Sequence, residues 1–228
     1  MNRIFNFEGP VFTFLSRLAD LFWLNLLFIL CCLPIFTAGA ASTALYYVTL
    51  KMAKDEEGYI TRSYFKSFKE NFVQATAIWA IVLVVFAIMF VDVRIVTAGN
   101  AAEIFNSSVV SNIVIVAAGV MCIVVLMTLT YLFPILAQFD NTVKNTIKNS
   151  FLISIRHLPY TILMMVITAI PIVLIWFSPA LLLLVLIMFS AMAYIKSKFY
   201  NKIFALYMPK KKQGEDAFDP AEDFDGEG

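Results

Sequence analysis

The thirty residues from Val109 to Gln138 contain no charged side chain. As a helix at 1.5 Å per residue this run is about 45 Å long, and the hydrocarbon core of a bilayer takes only about 20 apolar residues to cross. One crossing is therefore fixed, and the rest of the chain must be arranged around it. Val73–Val91 is a second such run, uncharged between Glu70 and Asp92. Leu158–Phe177 and Ala180–Tyr194 are a third and fourth, joined only by Ser178-Pro179, which predicts a tight helical hairpin. Composition agrees: 61% of the 228 residues are hydrophobic and 14% charged, against about 45–50% and about 25% in soluble domains.

The first fifty residues admit two readings. Phe12–Thr49 is mostly apolar, but Pro34 and Gly39 in "CCLPIFTAGAAS" interrupt it, and proline removes a backbone donor and crowds the preceding turn. Either one long kinked helix crosses once, or two helices form a hairpin. A cleavable signal peptide ending near Ala38-Gly39-Ala40 is a third reading, opposed by the apolar sequence that continues beyond it. The expected fold is all-α: a polytopic membrane protein with five to six transmembrane helices and amphipathic interfacial helices on the cytoplasmic side. The expected segments are 12–33, 37–52, 72–91, 109–138, 158–177 and 180–200, within one membrane domain of residues 1–207. The remainder, 208–228, runs from a Lys210-Lys211-Lys212 triplet into seven acids after Gly214 and is expected to be disordered.

Basic residues set the expected orientation. Five lie in 51–71, three in 139–157 and six in 196–212, Lys196 among them, whereas 92–108 holds only Arg94. The three basic stretches are expected to face the cytoplasm, as is the C-terminus. In the hairpin reading Arg3 and Arg17 join them.

Each basic stretch repeats one pattern. Phe65, Phe68 and Phe72 share a helical face beside Arg62, Lys66 and Lys69. Val143, Ile147, Phe151 and Ile155 are four apart, with Lys144 and Lys148 alongside and Arg156 and His157 at the end. Ile195, Phe199 and Ile203 repeat it with Lys198 and Lys202. Apolar residues at this period make an amphipathic helix, and cations beside aromatics suit the boundary of an anionic bilayer. The expectation is three interfacial helices with their aromatics at the acyl-headgroup boundary, serving as anchors or as docking surfaces for a cytoplasmic partner. Pro34 and Gly39 are the candidate helix break.

Catalytic chemistry is not written in this chain. No carboxylate falls in the middle of a predicted span, where one would signal ion coupling. Arg17 and Asp20, three apart on the first helix, are spaced to pair. Cys31, Cys32 and Cys122 lie in apolar runs with no metal or redox spacing, and His157 is the one histidine. Phosphate-loop, dinucleotide and nucleophile-elbow motifs are missing. No enzyme, cofactor, metal or nucleic-acid partner is expected.

"LPIFTAGAASTALYYVTLKM" and "EEGYITRSYFKSFKENFVQATAIW", with "FD" and "SIRHLP" further on, resemble the YesL-like family of bacterial multi-pass membrane proteins. The residues carrying the resemblance are Pro34, Gly39, Ala44, Tyr46, Tyr47, Gly58, Tyr59, Phe65, Phe68, Asn71, Phe72, Phe139, Asp140, Arg156, His157, Leu158 and Pro159. The family has no assigned catalytic or ligand residues. Its genes commonly accompany those of carbohydrate importers, so the resemblance implies a bacterial cell-membrane protein accessory to oligosaccharide uptake by ABC-type importers, contacting their permease or ATPase subunits. Two other expectations stay open: a transporter or permease subunit in its own right, and a membrane scaffold or envelope-stress protein without a ligand.

Overall fold

Proline and threonine build the first turn. The computed structural model describes residues 10–56, 58–97, 108–177 and 185–208, and every regular element among them is helical. Helix α1 (Pro10–Cys32) stops ahead of Leu33-Pro34, as the restriction on the residue before proline demands. A single 3-10 turn, Ile35–Thr37, follows, and the Thr37 hydroxyl donates to the carbonyls of Cys31 and Pro34, both at 2.6 Å. Carbonyls orphaned at the end of α1 thereby find a donor. Helix α2 (Ala38–Met52) then runs back along α1, so that Arg17 near the start of one donates to the Met52 carbonyl at the end of the other, 3.1 Å away. The N-terminal region is a hairpin.

Helix α3 (Ile60–Thr97) has 38 residues and is about 57 Å long, nearly twice a hydrocarbon core. Helix α4 (Ser108–Gln138) returns. Helix α5 (Val143–Arg156) is short and capped by Thr142, whose side chain accepts from the Asn145 amide. Helix α6 (Leu158–Phe177) leaves α5 at an angle of 102°, and helix α7 (Val185–Phe204) closes the fold.

Helix α2 is the axis of the molecule. It packs on α1, α3, α4 and α7, and ten of its fifteen residues are buried. Its glycine, alanine and threonine side chains permit this, because small residues let helix backbones approach in a membrane, where lipid offers leucine no less than a neighbouring helix does. At Gly39 the approach is closest: a Cβ there would stand 2.6 Å from the Ala75 carbonyl oxygen and 2.7 Å from the Trp79 Cβ. The Trp79 indole donates across the same seam to the Ile35 carbonyl at 2.8 Å. On the other side, Ser190 of α7 bonds buried Asn25 of α1 (3.0 Å) and the Leu21 carbonyl (2.6 Å). Ser197 and Asn201 of α7 reach Thr49 (2.9 Å) and the Leu50 carbonyl (3.1 Å) of α2.

Among the described residues the number of candidate spans is smaller than expected. Three helices there are long and apolar enough to cross a membrane, at Thr13–Cys32, Ile60–Arg94 and Asn112–Gln138. A fourth is added if Val143–Arg156 and Leu158–Ile170, bent at 102°, count as one broken span. Helix α2 does not qualify, because fifteen residues extend only about 22 Å. Helix α7 carries Lys196, Lys198 and Lys202 in its second half. The expected hairpin at Ser178-Pro179, Arg3 and the tail from residue 209 lie outside the described residues.

Candidate functional site

The basic stretches meet at one end of the bundle. Arg17 ties α1 to α2 and α7 there: besides the Met52 carbonyl it donates to the Tyr194 hydroxyl at 2.8 Å and to the Asp55 carboxylate. Its acid is thus Asp55, in the turn after α2, and not Asp20 three residues along its own helix. Asp55 has a φ of 58°, a left-handed conformation that aspartate tolerates better than most residues. A guanidinium at the end of α2 also meets the negative pole of that helix.

The stretch Arg62–Phe72 is the first three turns of α3, continuous with its span, and not a separate interfacial helix. Tyr64 and Ser67 are fully buried, Phe68 and Phe72 half-buried, and Arg62, Phe65, Lys66 and Lys69 exposed. The inward rings turn toward protein, Tyr64 completely and Phe68 in part. Tyr64 and Phe68 join the cluster containing Leu24, Leu45 and Val48, and the Tyr64 hydroxyl points at the Ala41 carbonyl at 3.4 Å. Phe65, 39% exposed, stays outside edge-on to Tyr64, with ring centres 5.6 Å apart. With Tyr59, Ile60, Thr61 and the three cations it lines an open hollow of about 610 Å³.

Helix α5 is a separate amphipathic helix, but its inward face is rotated away from the one its apolar period suggests, keeping Val143 and Ile147 and turning Phe151 and Ile155 out. Thr146, Ser150, Ile153 and Ser154 are buried, while Phe151, Leu152 and Ile155 are exposed and Ile147 is half-buried. The buried hydroxyls bond carbonyls of their own helix, Thr146 to Thr142 (3.1 Å), Ser150 to Thr146 (2.7 Å) and Ser154 to Phe151 (2.8 Å). A hydroxyl satisfied in this way behaves as a small packing group, and it lets α5 lie close on α4. Lys144, Lys148 and Arg156 project outward.

Where α5 turns into α6, the half-buried His157 caps the helix and meets the Tyr207 hydroxyl at 3.1 Å, while the Arg156 guanidinium lies 5.8 Å from the Tyr207 ring. Arg156 and Tyr207, with Phe139 and Asn149, line a cavity of about 410 Å³. At the end of α7, Lys198 lies over Tyr194, 4.9 Å from the ring centre, and Phe199 is half-buried against Tyr160. Lys202 is exposed. Val143 and Ile147 pack against the same cluster as Phe68 and Phe72, so α5 and the base of α3 adjoin. The end of the bundle therefore presents one basic, aromatic-bearing surface. Among the described residues no three His, Cys, Asp or Glu side chains gather where they could hold a metal ion.

Residues 21–93, within which this surface begins, match the family described as "Protein of unknown function, DUF624". The chain is YesL-like. Uncharacterized protein YesL of Bacillus subtilis (strain 168) is 28% identical over 153 residues, which cover 67% of this chain and 68% of that protein. Uncharacterized protein YteU of the same organism is 25% identical over 150 residues, 65% of this chain and 63% of the relative, so the match spans less than two thirds of YteU. No solved structure matches the chain. It is a helical membrane protein similar, over residues 21–93, to a family without an assigned function, and Pro34, Gly39 and the Arg62–Phe72 stretch lie within that match.

Sequence reasoning missed Lys196. Grouped by position with the cations of 196–212, it is instead buried, 7% exposed. The available signal was the seam of α7: Ala193, Ser197, Tyr200 and Phe204 recur at helical spacing, and Lys196 falls on that face rather than with Lys198 and Lys202.

Proposed function

We propose that this protein is an accessory component of oligosaccharide uptake in the bacterial cytoplasmic membrane, docking the permease or ATPase subunits of an ABC-type importer through the basic end of its bundle, which faces the cytoplasm with the C-terminus. One observation carries the docking part. Each of the three helices at that end is held by its own buried face, Tyr64 and Ser67 on α3, Thr146 and Ser150 on α5, Ser197 and Tyr200 on α7. Arg62, Lys69, Lys144, Lys148 and Lys202 remain exposed, and the outer rings Phe65 and Phe151 are each 39% exposed. Exposed aromatic and arginine side chains suit an interface core, and lysines around them supply a steering field at its rim. The class of partner follows from the YesL-like resemblance.

The angle of α5 favours a second reading for that helix alone. At 102° to α6 and with Phe151, Leu152 and Ile155 turned outward, it suits the plane of the bilayer surface, with lysines among anionic headgroups.

Purification from gently solubilised native membranes, with a photo-crosslinking residue at Phe65 or at Phe151, tests both. Sugar-importer subunits crosslinked from position 65 support the accessory reading, whereas lipid adducts alone from both positions leave only the anchor. An unrelated multi-pass protein serves as the control for co-purification.

A further inference from the structure

A second site lies inside the bundle, independent of whatever docks at the basic end. Helix α6 packs on α4, α5 and α7, and between it and the axial helix α2 a cavity of about 590 Å³ is left, within the range of small-molecule sites. Its walls are mostly apolar, Leu45, Leu129, Phe133, Met165, Met192 and Ala193 among them. Leu126 and Phe189 on its rim are 40% and 38% exposed, so among the described residues it opens on the surface of the bundle.

Lys196 is the charged group in this lining. Its ammonium donates to the Thr168 hydroxyl at 3.2 Å and lies 5.6 Å from the centre of the Tyr46 ring. Thr168 is ten residues into α6, about 15 Å from the start of that helix at helical rise, which is roughly half a hydrocarbon core. The side chain therefore reaches inward, where a lysine serving only as an interfacial anchor would reach for the headgroups. An ammonium has three donors, and here one hydroxyl and one ring face answer them. Among the described residues no carboxylate lies within ion-pair distance of Lys196. A cation buried this way is costly unless an anion joins it.

The geometry points to a binding site for an anionic amphiphile, its carboxylate or phosphate against the Lys196 ammonium, which Thr168 positions, and its acyl chain along the apolar walls. A sugar is the wrong occupant, because its hydroxyls would lose water to walls that offer them almost no partners. The head chemistry, a singly or doubly charged oxyanion, is common to a free fatty acid, a phospholipid headgroup and inorganic phosphate, and the test separates them.

The full chain in phosphatidylcholine nanodiscs is incubated with oleate, with oleoyl lysophosphatidate, with oleyl alcohol or with inorganic phosphate, and bound ligand is counted by native mass spectrometry. Oleate or lysophosphatidate is expected to bind at least tenfold more tightly than oleyl alcohol, and phosphate alone is expected not to be retained. Lys196→Met should abolish that preference and Lys196→Arg restore it. Leu129→Trp, which fills the cavity without touching the charge, should exclude both amphiphiles and serves if the lysine variants do not fold. Equal retention of the alcohol, retention of phosphate without a chain, or unchanged binding in both Lys196→Met and Leu129→Trp would each overturn the proposal.

Discussion

The base of α3 and the whole of α5 carry one sequence pattern, basic residues three or four apart beside large apolar residues, and bury it differently. In α3 the helix turns rings inward: Tyr64 is fully buried and Phe68 half-buried against α1 and α2. In α5 it turns small hydroxyl residues inward and leaves Phe151, Leu152 and Ile155 outside. The neighbours account for the difference. Above Tyr64 lies α2 with Ala40, Ala41 and Ala44, whose small side chains leave room for a ring. Beside α5 lies α4, already bulky at Leu132, Phe133 and Leu136, and α5 meets it with threonine and serine set among Val143, Ile147 and Ile153. In water the apolar stripe of a helix must face protein. At a membrane it has lipid as an equal choice, and the seam goes to whichever residues fit best.

Five measurements break or sharpen this contrast. Gly39→Leu should have the largest effect, because the new side chain meets backbone at Ala75 that cannot move aside, and α2 then loses its seat against α3. No monodisperse folded species is expected on size-exclusion chromatography, whereas Gly119→Leu, with nothing within 4 Å of its Cβ, should elute like the parent. Tyr64→Ala comes next: emptying a buried aromatic site should cost about 3–5 kcal/mol in denaturant unfolding. Ser150→Leu, a larger apolar residue forced into the α4 seam, should cost about 1–3 kcal/mol; a neutral result would mean that α5 is not seated on that face. Smallest is Phe151→Ala, expected below about 1 kcal/mol because the ring is 39% exposed. A spin label in place of Leu152 should be relaxed by lipid-soluble oxygen, and one in place of Phe65 by a water-soluble nickel chelate. The reverse pair of responses would exchange the roles assigned to the two helices.

The same contrast explains which parts of the fold were legible in sequence. The hairpin at Pro34 and the thirty-residue run to Gln138 rest on backbone rules and on length, which act locally, and both appear where expected. The continuity of Arg62–Phe72 with the span beyond it was hidden, because a charge-rich turn ahead of an apolar run reads as a boundary although nothing in it breaks a helix. The inward faces of α5 and α7 depend on the partner helix, and hydrophobic period alone carries no information about a partner. Lys196 was hidden for a related reason: a count of cations by segment assigns them to a side of the membrane and ignores the direction in which each points.

The axial position of α2 has a consequence for biosynthesis. Its walls come from α1, made before it, and from α3, α4 and α7, made after it, and two of its polar groups, the Thr49 hydroxyl and the Leu50 carbonyl, take their tertiary partners from Ser197 and Asn201. A helix of fifteen residues, rich in alanine and threonine, leaves the ribosome long before its last wall exists. The N-terminal half of this protein therefore cannot mature ahead of the C-terminal half. A chain interrupted before residue 185 would reach the membrane with its central helix still open on one flank, in the form that quality-control proteases remove.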